Sequence, residues 1–381
     1  MEIARNFIQI ADKSGYLRHR LCDSAIYHKI PAISQDTLRF RNWYSRAGFY
    51  KINTMTRVLS AIRSSGKLHL GNYLGAIKNW IELQSRENES CIFMIADYHA
   101  ITTPYNPSTF QNEVFSTACE YLAAGLDSKK ALLIRQSQIP QHTELAWIFN
   151  TITPVSWLDR LPTYREQVEK TKINNAGLLD YPVLMAADIL IYKANLVPVG
   201  EDQLPHLDIT NEIAKRFNST FGKTFEPVKP FMAEGKKILS LQDPIKKMSK
   251  TGDEPLNLTD PPDQIHKKIK KAVTDSGKEI KLDEKNKPAI SNLITIYHLL
   301  SNKSRGEIES TYQGKTYVEF KNDLAEVVIG FLKPFQEKYN ELKNNLDEVK
   351  RILTESEERA KVLANSTLSE VKKKIGVGRE D

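Results

Sequence analysis

The stretch from Arg57 to Ala76, RVLSAIRSSGKLHLGNYLGA, decides the fold class of this chain. Its first six residues read as a short buried strand, and a helix is predicted from about Tyr73. The turn between them contains glycines, which let the backbone approach a ligand closely. The N-terminus of the helix that follows favours negative charge. The stretch therefore predicts a strand–helix unit whose turn can handle phosphate, although such turns are often purely structural.

Strands and helices continue to alternate after this unit. The predicted strands are Cys91–Ala96, Ala131–Ile134 and Leu196–Val199, and the predicted helices are Phe110–Ala124, Thr143–Thr151, Tyr181–Tyr192 and Glu201–Phe217. Strands separated by helices indicate a parallel sheet, so the predicted class is α/β with a Rossmann-like catalytic domain at residues 55–251. Ligands bind at the carboxyl ends of such strands. Three polar clusters that follow strands are therefore expected to converge: Arg63–Asn72, Asp97–His99 and Gly200–Gln203.

The character of the chain changes to helical after Pro261. An apolar stripe at helical spacing runs from Leu324 to Leu342, and Pro334 is expected to kink that helix. We therefore place a C-terminal α-helical domain at residues 252–381.

Composition limits the class of protein. The net charge of +7 suits a polyanionic partner, and lysines crowd residues 246–287, which indicates either a solvated surface or a nucleic-acid footprint. The three cysteines, Cys22, Cys91 and Cys119, are too widely spaced for structural zinc or a disulfide framework, and favour a reducing compartment. No apolar run approaches the ~18 residues of a membrane span, so no membrane partner is expected.

Residues 1–54 differ from the rest of the chain. They are basic and poor in acidic residues, and a second methionine, Met55, stands just before the first strand. A basic leader ahead of a complete domain resembles a transit peptide and predicts the mitochondrial matrix as the location. The leader lacks strong serine enrichment, and a merely disordered extension is the alternative.

Two short motifs carry candidate chemistry. His69 and Asn72 stand three residues apart at the predicted helix start, so both can face one phosphate or ribose, unless His69 is only a satisfied turn histidine. The second motif is the loop around Lys247 and Lys250, bounded by Pro244 and Gly252. Its two ammonium groups can follow the charge that develops on a departing pyrophosphate. The alternative is a solvated basic loop.

The motifs HLGN (69–72) and KMSK (247–250) resemble the two signatures of class I aminoacyl-tRNA synthetases. Flanking segments resemble the tryptophanyl-tRNA synthetase family within that class. These segments are GNYLGA (71–76), AGLLDYPVLMAADILIY (176–192), VPVGEDQ (197–203) and KAVTDS (271–276). The likeness extends from about Thr56 to the terminal helix.

The resemblance implies roles for individual residues. Catalytic positions fall on His69, Lys247, Ser249 and Lys250. ATP-binding positions fall on Arg63, Ser64, Ser65, Gly71, Asn72, Gly200, Glu201, Asp202, Ile238, Lys247, Met248, Ser249, Lys250 and Thr251. The indole N–H of tryptophan is expected to bind Asp188. The pocket is completed by Tyr181, Met185 and Gln203, and by His99 on the carboxylate side of the substrate. The alternatives are a helix-capping or salt-bridged acid for Asp188 and a strand-end core histidine for His99.

The implied activity is ATP-dependent activation of L-tryptophan and transfer to tRNA(Trp), with Mg²⁺ carried on the ATP phosphates and no metal site on the protein. The helical domain is expected to bind the anticodon, and the family implies a homodimer. The sequence departs from the family pattern at Arg63-Ser64, where the family usually has Gln-Pro before the serine. This departure puts the rate of catalysis in doubt. The alternatives are a tyrosyl-type synthetase and a catalytically silent paralogue that binds tRNA.

Overall fold

The structure is a computed structural model that describes residues 56–64, 66–232, 238–249 and 254–378. From Thr56 onward the chain forms one compact unit. The predicted leader, residues 1–54, lies outside the described residues, as do Ser65, Lys250 and Thr251 of the predicted ATP site.

Five parallel strands form one sheet in the order β3-β2-β1-β4-β5. Their bounds are β1 Thr56–Ile62, β2 Glu89–Ile95, β3 Ala131–Arg135, β4 Leu196–Pro198 and β5 Lys229–Phe231. The α/β class and the four predicted strands are confirmed. The short edge strand β5 was not predicted, because it has no apolar run and contains Pro230, which is tolerated at a sheet edge.

Helices pack around the sheet, and further helices come after the last strand in the sequence. The first, α1, comprises Leu70–Asn72, a π-helical stretch at Tyr73–Ile77, and Lys78–Leu83. The others up to β5 are α2 Asp97–Ala100, α3 Pro107–Ala123, α4 Gln141–Asn150, α5 Val155–Asp159, α6 Pro162–Thr171, α7 Ala176–Leu190 and α8 Leu204–Phe221. The C-terminal helices are α9 Pro262–Lys271, α10 Pro288–Leu300, α11 Arg305–Thr311, α12 Tyr317–Asn344 and α13 Leu346–Ile375.

Capping residues explain where the structure departs from the predicted helix bounds. Helix α7 begins before the predicted Tyr181, because the Asn175 side chain accepts a hydrogen bond from the Leu178 N–H. Helices α5 and α6 were not predicted at all, since no clear apolar period marks them. Gly125, with φ of 109°, follows the end of α3 as expected. Helix α12 continues through Pro334, and the kink there stays a prediction.

Alternate residues of the strands supply two hydrophobic clusters on opposite faces of the sheet. Val58 and Phe93 belong to one cluster, and Leu59 and Ile92 belong to the other. The first cluster also contains buried residues of the C-terminal helices α10 and α12. The division of the chain between residues 251 and 252 therefore stays a prediction.

The strand order places a topological switch point at β1. The chain proceeds from β1 through β2 to β3 on one side, and β4 and β5 pair on the other side of β1. Loops that leave the carboxyl ends of β1 and β4 therefore diverge and open a crevice between them. The predicted convergence of three polar clusters follows from this order, since β2, β1 and β4 are parallel neighbours.

Candidate functional site

The loop after β1 ends in a reciprocal cap at the start of α1. The Asn72 N–H donates to His69 Nδ1 (3.2 Å), and the His69 N–H donates to Asn72 Oδ1 (3.1 Å). His69 is buried, and because its Nδ1 accepts, a neutral ring carries its proton on Nε2. The two side chains thus fix each other's backbone and stabilise the helix start. The catalytic role predicted for His69 stays a prediction.

A strap from the C-terminal region pairs with this loop. The Leu70 N–H donates to the Leu256 carbonyl (2.8 Å), and the Leu258 N–H donates to the Leu68 carbonyl (2.9 Å). His69 and Asn257 form an antiparallel bridge between these two bonds. The backbone of residues 256–258, which come after the second motif in the sequence, therefore holds the first motif in place.

The second motif lies on a short hairpin. The Met248 N–H donates to the Ile238 carbonyl (2.9 Å), and the Ser240 N–H donates to the Lys246 carbonyl (2.8 Å). Asn292 of α10 clamps the other edge, because its amide both accepts from the Leu239 N–H and donates to the Leu239 carbonyl, each at 3.0 Å.

Burial alternates along the second motif. Ile238 and Met248 are buried, whereas Lys247 is exposed. A Cβ atom at Gly71 would lie 3.5 Å from the Met248 Cβ and 3.1 Å from the His69 ring. The two motifs are therefore close neighbours, with their apolar residues in the core. Ile238 and Met248 can contribute only their backbone or a supporting surface to an ATP site.

The remaining predicted ATP residues form two further turns. Ser64 is fully buried, and its Oγ has no hydrogen-bond partner among the described residues. Gly200, Glu201 and Asp202 are exposed at the start of the helical segment after β4. A Cβ atom at Gly200 would lie 2.7 Å from Asp202 Oδ1, so any larger residue here would displace the Asp202 side chain.

Asp188 of α7 is a buried carboxylate with three side-chain partners. His99 Nε2 lies 2.9 Å from one oxygen, and His142 Nδ1 lies 2.5 Å from the other. The Gln136 amide N–H₂ is 2.9 Å from both oxygens. Burial tends to raise the pKa of Asp188, but the two histidines outweigh it and hold the pKa below its ordinary value. The site therefore keeps an anionic acceptor inside an apolar helix.

Two of these partners were not predicted. Gln136 directly follows β3 and is fully buried, so the rule that polar residues after strands face the site would have found it. His142 carries no such signal, since it lies in the first turn of α4. Its Nε2 is 2.8 Å from the Tyr192 hydroxyl. If that hydroxyl donates, the neutral ring presents its Nδ1–H to Asp188.

The cluster Asp97–His99 divides between two tasks. Asp97 accepts bonds from the Ser137 N–H (2.9 Å) and the Ser137 hydroxyl (2.5 Å), which ties β2 to β3. His99, only partly buried, turns to Asp188 and lies edge-on to Tyr181 with ring centroids 6.2 Å apart. His99 thus lies at the Asp188 end of the predicted pocket, and its predicted contact with the carboxylate side of the substrate stays a prediction.

Tyr181 belongs to a second polar group. Its hydroxyl lies 2.6 Å from His206 Nε2 and 2.9 Å from the Thr163 hydroxyl. Burial raises the pKa of Tyr181, while the Thr163 bond and the charge of Arg63 oppose this rise.

Met185 and Gln203 are less decisive. Met185 is partly buried and packs against the hydrophobic cluster to which the buried residues of its own helix, α7, belong. The Gln203 amide donates to Asp202 Oδ2 (2.8 Å), which directs it toward its own turn. The pocket roles of these two residues stay predictions.

We expect His206 to make stability fall in mild acid. Burial lowers its pKa to about 4, with an opposing effect of Asp202, so below a pH of about 6.5 the unfolded chain binds the extra proton first. Chemical unfolding of wild type should lose about 2 kcal/mol more between pH of about 7.5 and 5 than unfolding of His206→Gln. Equal losses in both proteins would contradict a buried neutral imidazole.

Comparison with known proteins is consistent across sequence and structure. The family model for tRNA synthetases class I (W and Y) matches residues 51–333. A tryptophan–tRNA ligase of Rickettsia conorii is 44% identical over 325 residues, covering 84% of this chain and 98% of that protein. The Bacillus subtilis ligase of the same name is 44% identical over 327 residues, covering 85% and 98%.

A solved structure gives the same result. The tryptophanyl-tRNA synthetase of Campylobacter jejuni, complexed with ADP and tryptophan, is 33% identical with a TM-score of 0.77. The match covers 84% of this chain and 100% of that one. The site geometry, the family model and these relatives agree, and the chain belongs to the class I tRNA synthetases of the tryptophan and tyrosine family.

Proposed function

We propose that the chain is a tryptophan–tRNA ligase, which activates L-tryptophan with ATP and transfers it to tRNA(Trp). The observation that carries this proposal is Asp188, a buried anionic acceptor in an otherwise apolar helix. An indole N–H can donate to this carboxylate in addition to the three side chains that already donate to it. The 44% identity to ligases of this name supports the same substrate, and no observation favours the tyrosyl-type or the silent alternative.

The first step is attack of the tryptophan carboxylate oxygen on the α-phosphorus of ATP. The bond between the α-phosphorus and the bridging oxygen breaks, and pyrophosphate leaves. The loop after β1, the turn at 200–203 and the hairpin at 238–249 surround the crevice where the phosphates and ribose would bind. No covalent enzyme intermediate is required, since positioning and charge supply the catalysis.

The lysine hairpin would stabilise the charge on the departing pyrophosphate. Met248 anchors the hairpin in the core, and the neighbouring Lys247 is exposed and available to the phosphates. In the proposal Mg²⁺ arrives with ATP, carried on its phosphates, because Mg²⁺ is usually bound through substrate phosphates rather than in an all-protein cage.

Selectivity would come from the hydrogen bond to Asp188. Phenylalanine has no ring donor, so its binding would leave the buried carboxylate without its ligand partner. Tyrosine is the closer competitor, and the shape of the pocket around Tyr181 and Met185 would have to exclude it.

The second step transfers the activated acyl group to the terminal ribose of tRNA. A ribose hydroxyl attacks the acyl carbonyl, and AMP leaves. We propose that the helices after residue 252 bind the anticodon. Helix α9 supports this with the exposed Lys267, Lys270 and Lys271, whereas Lys268 is turned inward to Asp260 at 2.6 Å.

A homodimer is part of the proposal. Trp147 of α4 is 72% exposed and Val155 at the start of α5 is 65% exposed, which is unusual for large apolar side chains and suits contact with a second copy. The mass of the full chain in solution tests this, since the monomer is 43.5 kDa. No helix in the described ranges is both long and apolar enough to span a membrane.

Asp188→Ala is expected to weaken tryptophan binding roughly 10- to 100-fold while the KM for ATP changes little, because an ion-dipole hydrogen bond is lost. Titration with tryptophan and tryptophan-dependent pyrophosphate exchange, with tyrosine as a control substrate, measure the two effects. Asp188→Asn provides an isosteric second variant. Asp180→Asn is the matched control, because Asp180 lies on the same helix and, among the described residues, bonds to Asn150 rather than to a pocket side chain. Equal losses for tryptophan and ATP would refute the indole role.

Lys250→Ala is expected to slow adenylate formation about 100-fold or more, and to leave tryptophan affinity nearly unchanged. Lys246→Ala is the control, because Lys246 is an exposed lysine on the same hairpin that pairs with Asp243 at 2.8 Å. Rapid-quench measurement of the first turnover separates the two variants. A large loss of tryptophan affinity in Lys250→Ala, or an equal slowing in Lys246→Ala, would sink the assignment.

We propose that residues 1–54 direct the protein to the mitochondrial matrix. The basic, acid-poor composition of the leader supports this, and so does the start of the family match at residue 51. Residues 1–54 fused to a fluorescent protein should enter mitochondria, and residues 55–381 alone should not, while both full-length and shortened chains remain active in vitro. Import of the shortened chain would overturn the assignment.

A further inference from the structure

The last helix reaches back to the sheet next to the amino-acid pocket. Glu357 of α13 is 3% exposed and places both carboxylate oxygens on Arg135, the last residue of β3. The Arg135 Nε and Nη2 atoms donate to Glu357 over 2.7 Å and 2.8 Å, and the Arg135 backbone N–H donates over 3.2 Å. Three hydrogen bonds accepted by one carboxylate fix both the side chain and the backbone of Arg135 at the end of the strand.

The next residue along the chain belongs to the pocket. Gln136 is fully buried, and its amide N–H₂ lies 2.9 Å from both oxygens of Asp188. Its amide oxygen accepts from the His99 N–H at 3.3 Å. Two consecutive residues, Arg135 and Gln136, therefore connect the terminal helix to the carboxylate proposed to bind the indole.

The Glu357 contact is directional. An Arg–carboxylate pair with two parallel bonds holds one geometry, which a single point charge does not. The Arg135 guanidinium also lies over the Phe115 ring, 5.4 Å from its centroid, so its plane is fixed from a second side. Without Glu357 the end of β3 would still pair with β2. It would lose the acceptor of the Arg135 N–H, which fixes the orientation of the last peptide unit of the strand.

We propose that Glu357 is a positioning residue for amino-acid activation. It holds the end of β3 so that Gln136 keeps Asp188 oriented, and α13 thereby forms the rear support of the tryptophan pocket. Because α13 lies in the region proposed to bind tRNA, the pocket is supported by a tRNA-binding element. This inference rests on the proposed role of Asp188.

The test is Glu357→Gln, in which the side chain keeps its shape but loses its charge and one acceptor. Tryptophan should bind about tenfold more weakly, with the KM for ATP and the rate of the saturated first turnover nearly unchanged. Glu370→Gln is the matched control, because Glu370 also joins α13 to the body of the protein, through Lys193 at 2.6 Å. In the part of the chain that the structure describes, Glu370 pairs with Lys193 and Lys374 rather than with a pocket residue, so the tryptophan affinity of Glu370→Gln should equal that of wild type.

A second variant keeps the inference testable if Glu357→Gln does not fold. Arg135→Lys keeps the charge and breaks the two-bond geometry, so it should reproduce the selective loss of tryptophan affinity. Unchanged affinity in a folded Glu357→Gln or Arg135→Lys protein would overturn the inference, and so would equal losses for tryptophan and ATP. If wild type itself failed to bind tryptophan, the proposed function would fall instead, which separates the two failures.

Discussion

The arrangement of the amino-acid pocket depends on one buried negative charge. An isolated carboxylate in the apolar interior of α7 would be too costly to keep ionised, so it must be surrounded by donors. His99, His142 and Gln136 supply them from three different elements. Satisfying one side chain thus fixes the relative positions of α2, α4 and the end of β3 around α7. The shape of the crevice therefore depends on the need to place hydrogen-bond donors around Asp188.

The parallel sheet supplies the second constraint. Its switch point brings the first motif and the turn after β4 to the same edge, and the hairpin of the second motif packs against the first through Met248 and Gly71. The hairpin of the second motif therefore combines an apolar base in the core, Met248, with an exposed lysine beside it, Lys247. This construction allows a charged group to be exposed without freeing the backbone that carries it.

Much of the fold and part of the site could be predicted from the sequence. Buried parallel strands have continuous apolar runs, so β1 to β4 were found, whereas β5 at the edge has none. Asp188 was assigned through the family resemblance, and its place in an apolar helix supports the assignment. His142, Thr163 and His206 could not be singled out, because their importance depends on contacts between residues far apart in the chain. The chain's family resemblance suggested that Ile238 and Met248 touch ATP, but only the structure shows that both side chains are buried.

The edges of the sheet have a consequence for assembly. At one edge, α13 packs along β3 and the Glu357 carboxylate takes up a backbone N–H there. At the other edge, β5 is three residues long and has Pro230 at its centre, which offers no N–H. In the described ranges, neither edge therefore presents a long row of unpaired strand backbone to another chain, and such protected edges disfavour edge-to-edge aggregation.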